Sequence, residues 1–149
     1  MLGKDTFWMQ QCLELGRQAR QEGNTPVGAL LLQEGRKIGE GREAGKSKHD
    51  ITCHAEIEAI RDALQQGHAN LRGAILYTTH EPCIMCSYVI RHHRIARVVI
   101  GLAVPEVGGY TSLFPILSTQ AIPTWGPPPE ITLGVLQEQC RALSLETYW

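Results

Sequence analysis

Two short stretches carry residue types that could do chemistry together. His54-Ala55-Glu56 sets an imidazole and a carboxylate two residues apart, and Pro82-Cys83-Ile84-Met85-Cys86 follows with two thiols three apart. A three-residue step on a helix puts both thiols on one face, within reach of one ion. At the first turn of a helix the positive end of the dipole also favours thiolates. Cys83, Cys86 and His54 are three ligands for zinc, and a tetrahedral ion then keeps its fourth position for water, as catalytic sites do. Two thiolates cancel the charge of the ion, so its water is acidified less than at an all-histidine site and a nearby base helps. Glu56 is that base by position, able to move a proton from the water to a ring nitrogen and a leaving amine. Attack on an amidine-like carbon, a tetrahedral intermediate and loss of ammonia would make hydrolytic deamination.

Other readings of the same residues explain less. A structural zinc site completed by His49 or Cys53 leaves Glu56 without a role, and a C-x-x-C redox pair has no use for His54 or Glu56. His68, His80, His92 and His93 read individually as surface or core histidines. Cys12 and Cys140 lie in apolar helical patterns and read as buried thiols. Five cysteines, an odd number, fit metal binding better than a disulfide framework.

Both chemical stretches stand where an amphipathic helix is expected to begin. Ile57, Ile60 and Leu64, with Ala59 and Ala63, mark the apolar side of a helix from about Cys53 to Gln66. Ile84, Tyr88, Ile90 and Arg91 continue one from the thiols to about His93. Before them, Trp8, Cys12, Leu15 and Ala19 predict a first helix over 5–21. Val27–Leu32 and Arg36–Glu43 predict a hairpin, and Ala44–Asp50 a polar loop. Ala74–Thr79 and Arg97–Gly101 read as buried strands, the first handing over directly to the thiols. Glycines and prolines between Gly108 and Pro129 predict long loops with one helical turn near Ser112–Leu117, then a strand at 131–134 and a last helix over 135–145. This order predicts one domain over 1–149, a three-layer α/β/α sandwich around a five-stranded mixed sheet.

A net charge of −1 gives no global attraction to nucleic acid or to an anionic membrane. The basic residues Arg91, His92, His93, Arg94 and Arg97 read as a solvated helix end complementing its dipole. With no apolar run long enough to span a bilayer and no signal segment, a cytoplasmic location is expected.

On Cys53-His54-Ala55-Glu56-Ile57 and Glu81-Pro82-Cys83-Ile84-Met85-Cys86, the chain resembles the cytidine deaminase superfamily. Within it, the resemblance is to the branch of tRNA adenosine deaminases, bacterial guanine deaminases and fungal cytosine deaminases. Thr25-Pro26-Val27-Gly28-Ala29 resembles the first strand of that branch and Arg94–Gly101 its fourth; Ser112-Leu113-Phe114 and Ile131–Leu136 with Cys140 resemble the tRNA deaminases in particular. The resemblance implies one zinc ion per subunit on His54, Cys83 and Cys86, with Glu56 shuttling protons. It implies a homodimer whose neighbour lends pocket walls, and backbone N–H groups near Glu56 and Cys83 that hold the base and the oxyanion. Ala55, Pro82 and Val27 are candidate substrate contacts on that ground.

Two departures bear on the substrate. Glu43 stands where the branch carries an asparagine that hydrogen-bonds the base or sugar. An ionised carboxylate only accepts, which would favour a substrate edge rich in N–H donors, such as that of guanine, isocytosine or a diamino-triazine. Alternatively, Glu43 is a solvated loop carboxylate. Val104 stands where the tRNA deaminases carry an aspartate against the nucleic acid sugar, and their basic C-terminal helix end is replaced by Leu145-Glu146-Thr147-Tyr148-Trp149. Tyr148 and Trp149 are a candidate lid or simple helix packing. These features put a free nucleobase or nucleoside, guanine-like or cytosine-like, first among substrates and a tRNA anticodon adenosine second. A catalytically inactive, zinc-stabilised purine-binding protein is the reading from another class.

Overall fold

Strands buried on both faces must alternate their side chains between two cores, and these do. The computed structural model describes residues 2–145. Among them β3 (Ile75–His80), β4 (Arg97–Leu102) and β5 (Glu130–Leu133) lie side by side in parallel. β1 (Gly28–Gln33) joins β3 antiparallel and β2 (Arg36–Arg42) pairs antiparallel outside it, giving the order β2-β1-β3-β4-β5. The hairpin turns at Glu34 and Gly35, both at positive φ, the two-residue geometry that follows strand twist.

Leu31, Leu76, Val98 and Ile100 face one core, shared with Ala55, Ala59, Ile60 and Ala63 of α3 (Ala55–Gln65) and with Ile90 of α4 (Ile84–His92). Their strand neighbours Leu30, Leu32, Tyr77 and Val99 face the other. There Met9, Cys12 and Leu13 of α1 (Leu2–Gln21) meet Cys140 and Leu143 of α5 (Gln137–Leu145). The expected three-layer sandwich is thus present, with element ends shifted by a few residues, and Cys12 and Cys140 are buried thiols as expected.

Four sequence expectations are corrected. Ala44–Asp50 is not all loop: Gly45–Lys48 forms a single helical turn, α2, because Asn24 and Ser47 exchange two hydrogen bonds of 3.0 Å and His49 ends it at φ 52. The helical turn expected near Ser112–Leu117 is a non-helical turn, and a 3-10 turn forms instead at Pro123–Trp125, where proline suits the first position. Leu64 is exposed, because α3 packs through alanines. A Cβ at Gly41 would lie 2.3 Å from the Ala55 carbonyl and one at Gly39 2.5 Å from that of Ala59, so only bare backbone on β2 admits the helix. Finally, the arginines in the last turn of α4 and just beyond it are structural rather than solvated. Arg91 is buried and donates to the carbonyls of Ile116, Thr119 and Gly126; Arg94 donates to those of Thr124 and Trp125; Arg97 grips Asp5.

Candidate active site

The parallel strands end together, and the chemistry collects at their carboxyl ends, where open α/β sheets place ligands. β3 hands over through Glu81 and Pro82 to Cys83, the residue that begins α4; His54 begins α3 beside it. Serine, threonine or aspartate usually caps such positions, worth about 1 kcal/mol. Here the caps are His54 and Cys83, both extended (φ −71, ψ 154 and φ −70, ψ 178) and neither making a side-chain cap bond. Their side chains are free to turn towards each other, and two positive helix ends converge on the same spot.

His54 Nδ1 lies 3.5 Å from Cys83 Sγ and 3.5 Å from Cys86 Sγ. A tetrahedral zinc with bonds of about 2.3 Å to sulfur and about 2.0 Å to nitrogen sets S and N about 3.5 Å apart, so these residues fit the ion as they stand. The three ligand atoms all fall within 4.8 Å of one another, and no fourth residue joins the cluster among the described residues. His49 is exposed and Cys53 Sγ accepts from Arg61, which leaves the structural-site reading without its fourth ligand.

Glu56 sits outside this ligand set but against it, its Oε1 3.9 Å from Cys86 Sγ. It is buried, and its Oε2 lies 3.3 Å from Thr78 Oγ1, a hydroxyl whose shorter bond, 2.9 Å, goes to the His80 carbonyl. Burial, reinforced by the negative Cys83, pushes its carboxyl up to about 7, a value a bound dication would pull back down. Hydrogen bonds from Cys86 and His54 hold Cys83 down at about 4 despite burial, while the bond to that thiolate and burial raise Cys86. His54 rises to about 9, chiefly through its contact with Cys83.

Other expected site residues are placed less centrally. Glu43 is half-buried just past β2, its main-chain N–H on the Val27 carbonyl and its Oε2 accepting from Gly45 N at 3.1 Å. Burial raises its pKa, with His54 the chief opposing charge, so it feels the cluster electrostatically. The Ala55 and Val27 side chains belong to the core, and the Pro82 carbonyl is taken by Gly109 N and Ser87 Oγ. Tyr148 and Trp149 lie outside the described residues. Sequence reasoning missed Thr78 and Glu81. Thr78 is a buried hydroxyl in the middle of an apolar strand, the one signal that could have found it; Glu81 is a buried carboxylate just before the Pro82–Cys83 turn.

Residues 2–102 match the family described as the cytidine and deoxycytidylate deaminase zinc-binding region, and the chain belongs to that family. It is 33% identical over 122 residues to the tRNA-specific adenosine deaminase of Streptococcus pyogenes serotype M1, spanning 81% of this chain and 71% of that protein. A solved structure from a study of A-to-I editing by tRNA:A34 deaminases at the wobble position of transfer RNA superposes with a TM-score of 0.84 at 33% identity, covering 93% of this chain and 99% of that one. A diaminohydroxyphosphoribosylaminopyrimidine deaminase/5-amino-6-(5-phosphoribosylamino)uracil reductase from Thermotoga maritima gives 0.73 at 29% identity, covering 98% of this chain and 40% of its own. The protein is accordingly a zinc-dependent hydrolytic deaminase, and no helix among the described residues is long and apolar enough to cross a membrane.

Proposed function

We propose that this deaminase acts on an adenosine held in tRNA, releasing ammonia and leaving inosine. The observation that carries the reaction is the His54–Cys83–Cys86 cluster with the buried Glu56 beside it but outside it. What supports the substrate is the likeness to tRNA deaminases over most of the chain. This reverses the order of the two substrates expected from sequence alone.

His54 Nδ1 and the Cys83 and Cys86 sulfurs would hold the zinc, which when bound supplies a Lewis acid and a water of lowered pKa. One oxygen of Glu56 lies against the Thr78 hydroxyl and the other faces the Cys86 sulfur, where the carboxylate can take a proton and then deliver it to the base and to the departing amine. In the first turns of α3 and α4 the Glu56 N–H faces its own carboxylate and the Cys86 N–H the Cys83 sulfur, which leaves the other N–H groups of those turns to receive the developing negative charge. Burial of Glu56 keeps bulk water from competing for that proton.

A second reading, a small free heterocycle, is favoured by Glu43. A carboxylate beside the cluster suits an edge with N–H donors and repels phosphate. One experiment separates the two: zinc-loaded protein is given a transcribed tRNA anticodon stem-loop and a panel of guanine, cytosine, adenosine and an aminated triazine. Inosine in the stem-loop, with binding that weakens as salt rises, supports the first; ammonia from the free compounds alone overturns it. Under the second reading, Glu43→Asn shifts the preference within the free panel. We place the activity in one domain over 1–149, in the cytoplasm, and in a homodimer. Exposed Ile84, Tyr88, Leu113 and Phe114 supply apolar surface for the last, which sedimentation would check.

A further inference from the structure

The residue before Pro82 is a buried carboxylate with an unusual set of partners. Glu81 Oε1 accepts from Val104 N at 2.8 Å and Thr111 Oγ1 at 2.5 Å; Oε2 accepts from Tyr110 N at 2.8 Å and Thr111 N at 2.7 Å. A carboxylate can take all four because it is acceptor-only on both oxygens. The donors come from the two ends of one loop, 104–111, which is thereby closed around a single side chain. Gly108 sits over it so tightly that a Cβ there would fall 2.1 Å from Glu81 Cδ.

This closure reaches the metal site through main chain. Gly108 forms an antiparallel bridge with Cys83, and Gly109 N donates to the Pro82 carbonyl at 2.8 Å. Cys83 is the ligand most in need of such support. Cys86 lies inside α4, whereas Cys83 is the extended residue before the helix, held by the loop on one side and by the strand end on the other. Glu81 N itself donates to the Leu102 carbonyl at 2.8 Å, tying the turn to β4.

We propose that Glu81 is a positioning residue for the metal centre. By folding the 104–111 loop onto the Pro82–Cys83 turn, it holds the Cys83 sulfur where the His54 nitrogen and the Cys86 sulfur can share one ion with it. Partners that orient metal ligands are typically worth 10- to 100-fold in metal affinity. The inference rests on the zinc-site reading but not on the identity of the base deaminated.

The test follows metal rather than turnover. Glu81→Gln keeps the shape but turns an amide nitrogen towards N–H donors. Zinc transfer from the purified protein to a chelator should accelerate by about 10- to 100-fold, and the cobalt-substituted protein should show altered visible and thiolate-to-metal bands. Thr111→Val, which removes one donor of the four, should move both readouts less in the same direction, with Thr111→Ser restoring them; this series stands should Glu81→Gln not fold. Asp5→Asn, which breaks a buried carboxylate cluster at the opposite end of the sheet, should lower stability and leave zinc release unchanged. Wild-type release and cobalt spectra in Glu81→Gln and Thr111→Val overturn the proposal, as does equally fast release from Asp5→Asn. A wild-type protein that binds neither metal brings down the zinc-site reading itself.

Discussion

Glu56 combines three properties that rarely coincide on one side chain: burial, a hydroxyl neighbour at one oxygen, and the three-ligand cluster beside the other. None of these makes it a ligand, so its removal separates metal binding from chemistry. Glu56→Ala should retain full zinc, measured by elemental analysis, while kcat falls by at least about 100- to 10,000-fold, the usual worth of a positioned acid–base group. Loss of zinc together with activity would recast Glu56 as part of the site's scaffold. The four central residues were legible because their types and spacings are constrained by the ion: a thiol pair three apart and an imidazole two before a carboxylate have few other uses. Thr78 and Glu81 were not. A threonine in a strand and a glutamate before a proline carry no spacing signal, and their partners lie 22 to 30 residues away along the chain.

At the scale of elements, the site depends on how closely α3 lies on β2. Gly39 and Gly41 present bare backbone to Ala55, Ala59 and Ala63, and His54 rides at the start of that helix. Gly41→Ala must push the helix outward, since the new methyl would meet the Ala55 carbonyl at 2.3 Å and Ala59 N at 2.4 Å. The expected cost is about 1 to 3 kcal/mol in urea unfolding, accompanied by lower zinc retention because His54 moves with its helix. Destabilisation with undisturbed zinc would mean that the strand yields instead. Periodicity revealed these elements well, since each buried strand reads as an apolar run and each helix as a one-sided stripe. It could not show that Leu64 would be left outside, because that follows from the absence of side chains on a neighbouring strand.

For the molecule as a whole, one ion pair joins the first helix to the start of β4, at the end of the sheet away from the metal site. Asp5 accepts from Arg97 twice, at 3.0 and 2.7 Å, and from the Tyr77 hydroxyl at 2.7 Å. Burial alone would raise its pKa, but the bonds from Arg97 and Tyr77 outweigh it and hold Asp5 below its ordinary 3.8. A carboxyl depressed on folding stabilises fully above its unfolded pKa and loses that contribution as pH falls through the lower folded value. Asp5→Asn should therefore lower stability by about 2 kcal/mol near neutral pH, and the gap to wild type should close as the medium is acidified below the ordinary carboxylate range. Urea midpoints across that range decide it, and a gap that widened towards acid would contradict the sign.

The long segment after β4 owes its path to two charged side chains that bracket α4. Glu81 collects N–H groups at its beginning, and Arg91 collects carbonyls further along. Nearly all of that grip is on main-chain atoms, and main chain is the same whatever residue hangs from it. Exposed side chains of this segment, such as those of Leu113 and Phe114, can therefore be exchanged without redirecting the loop, provided Thr111, Leu117 and Trp125 stay in place and Gly108 and Gly109 keep their room. Reactivity is written into the two helix starts, while the exposed residues of the loop ride on a course that is already guaranteed. A fold divided in this way can change the face of that loop without disturbing its chemistry.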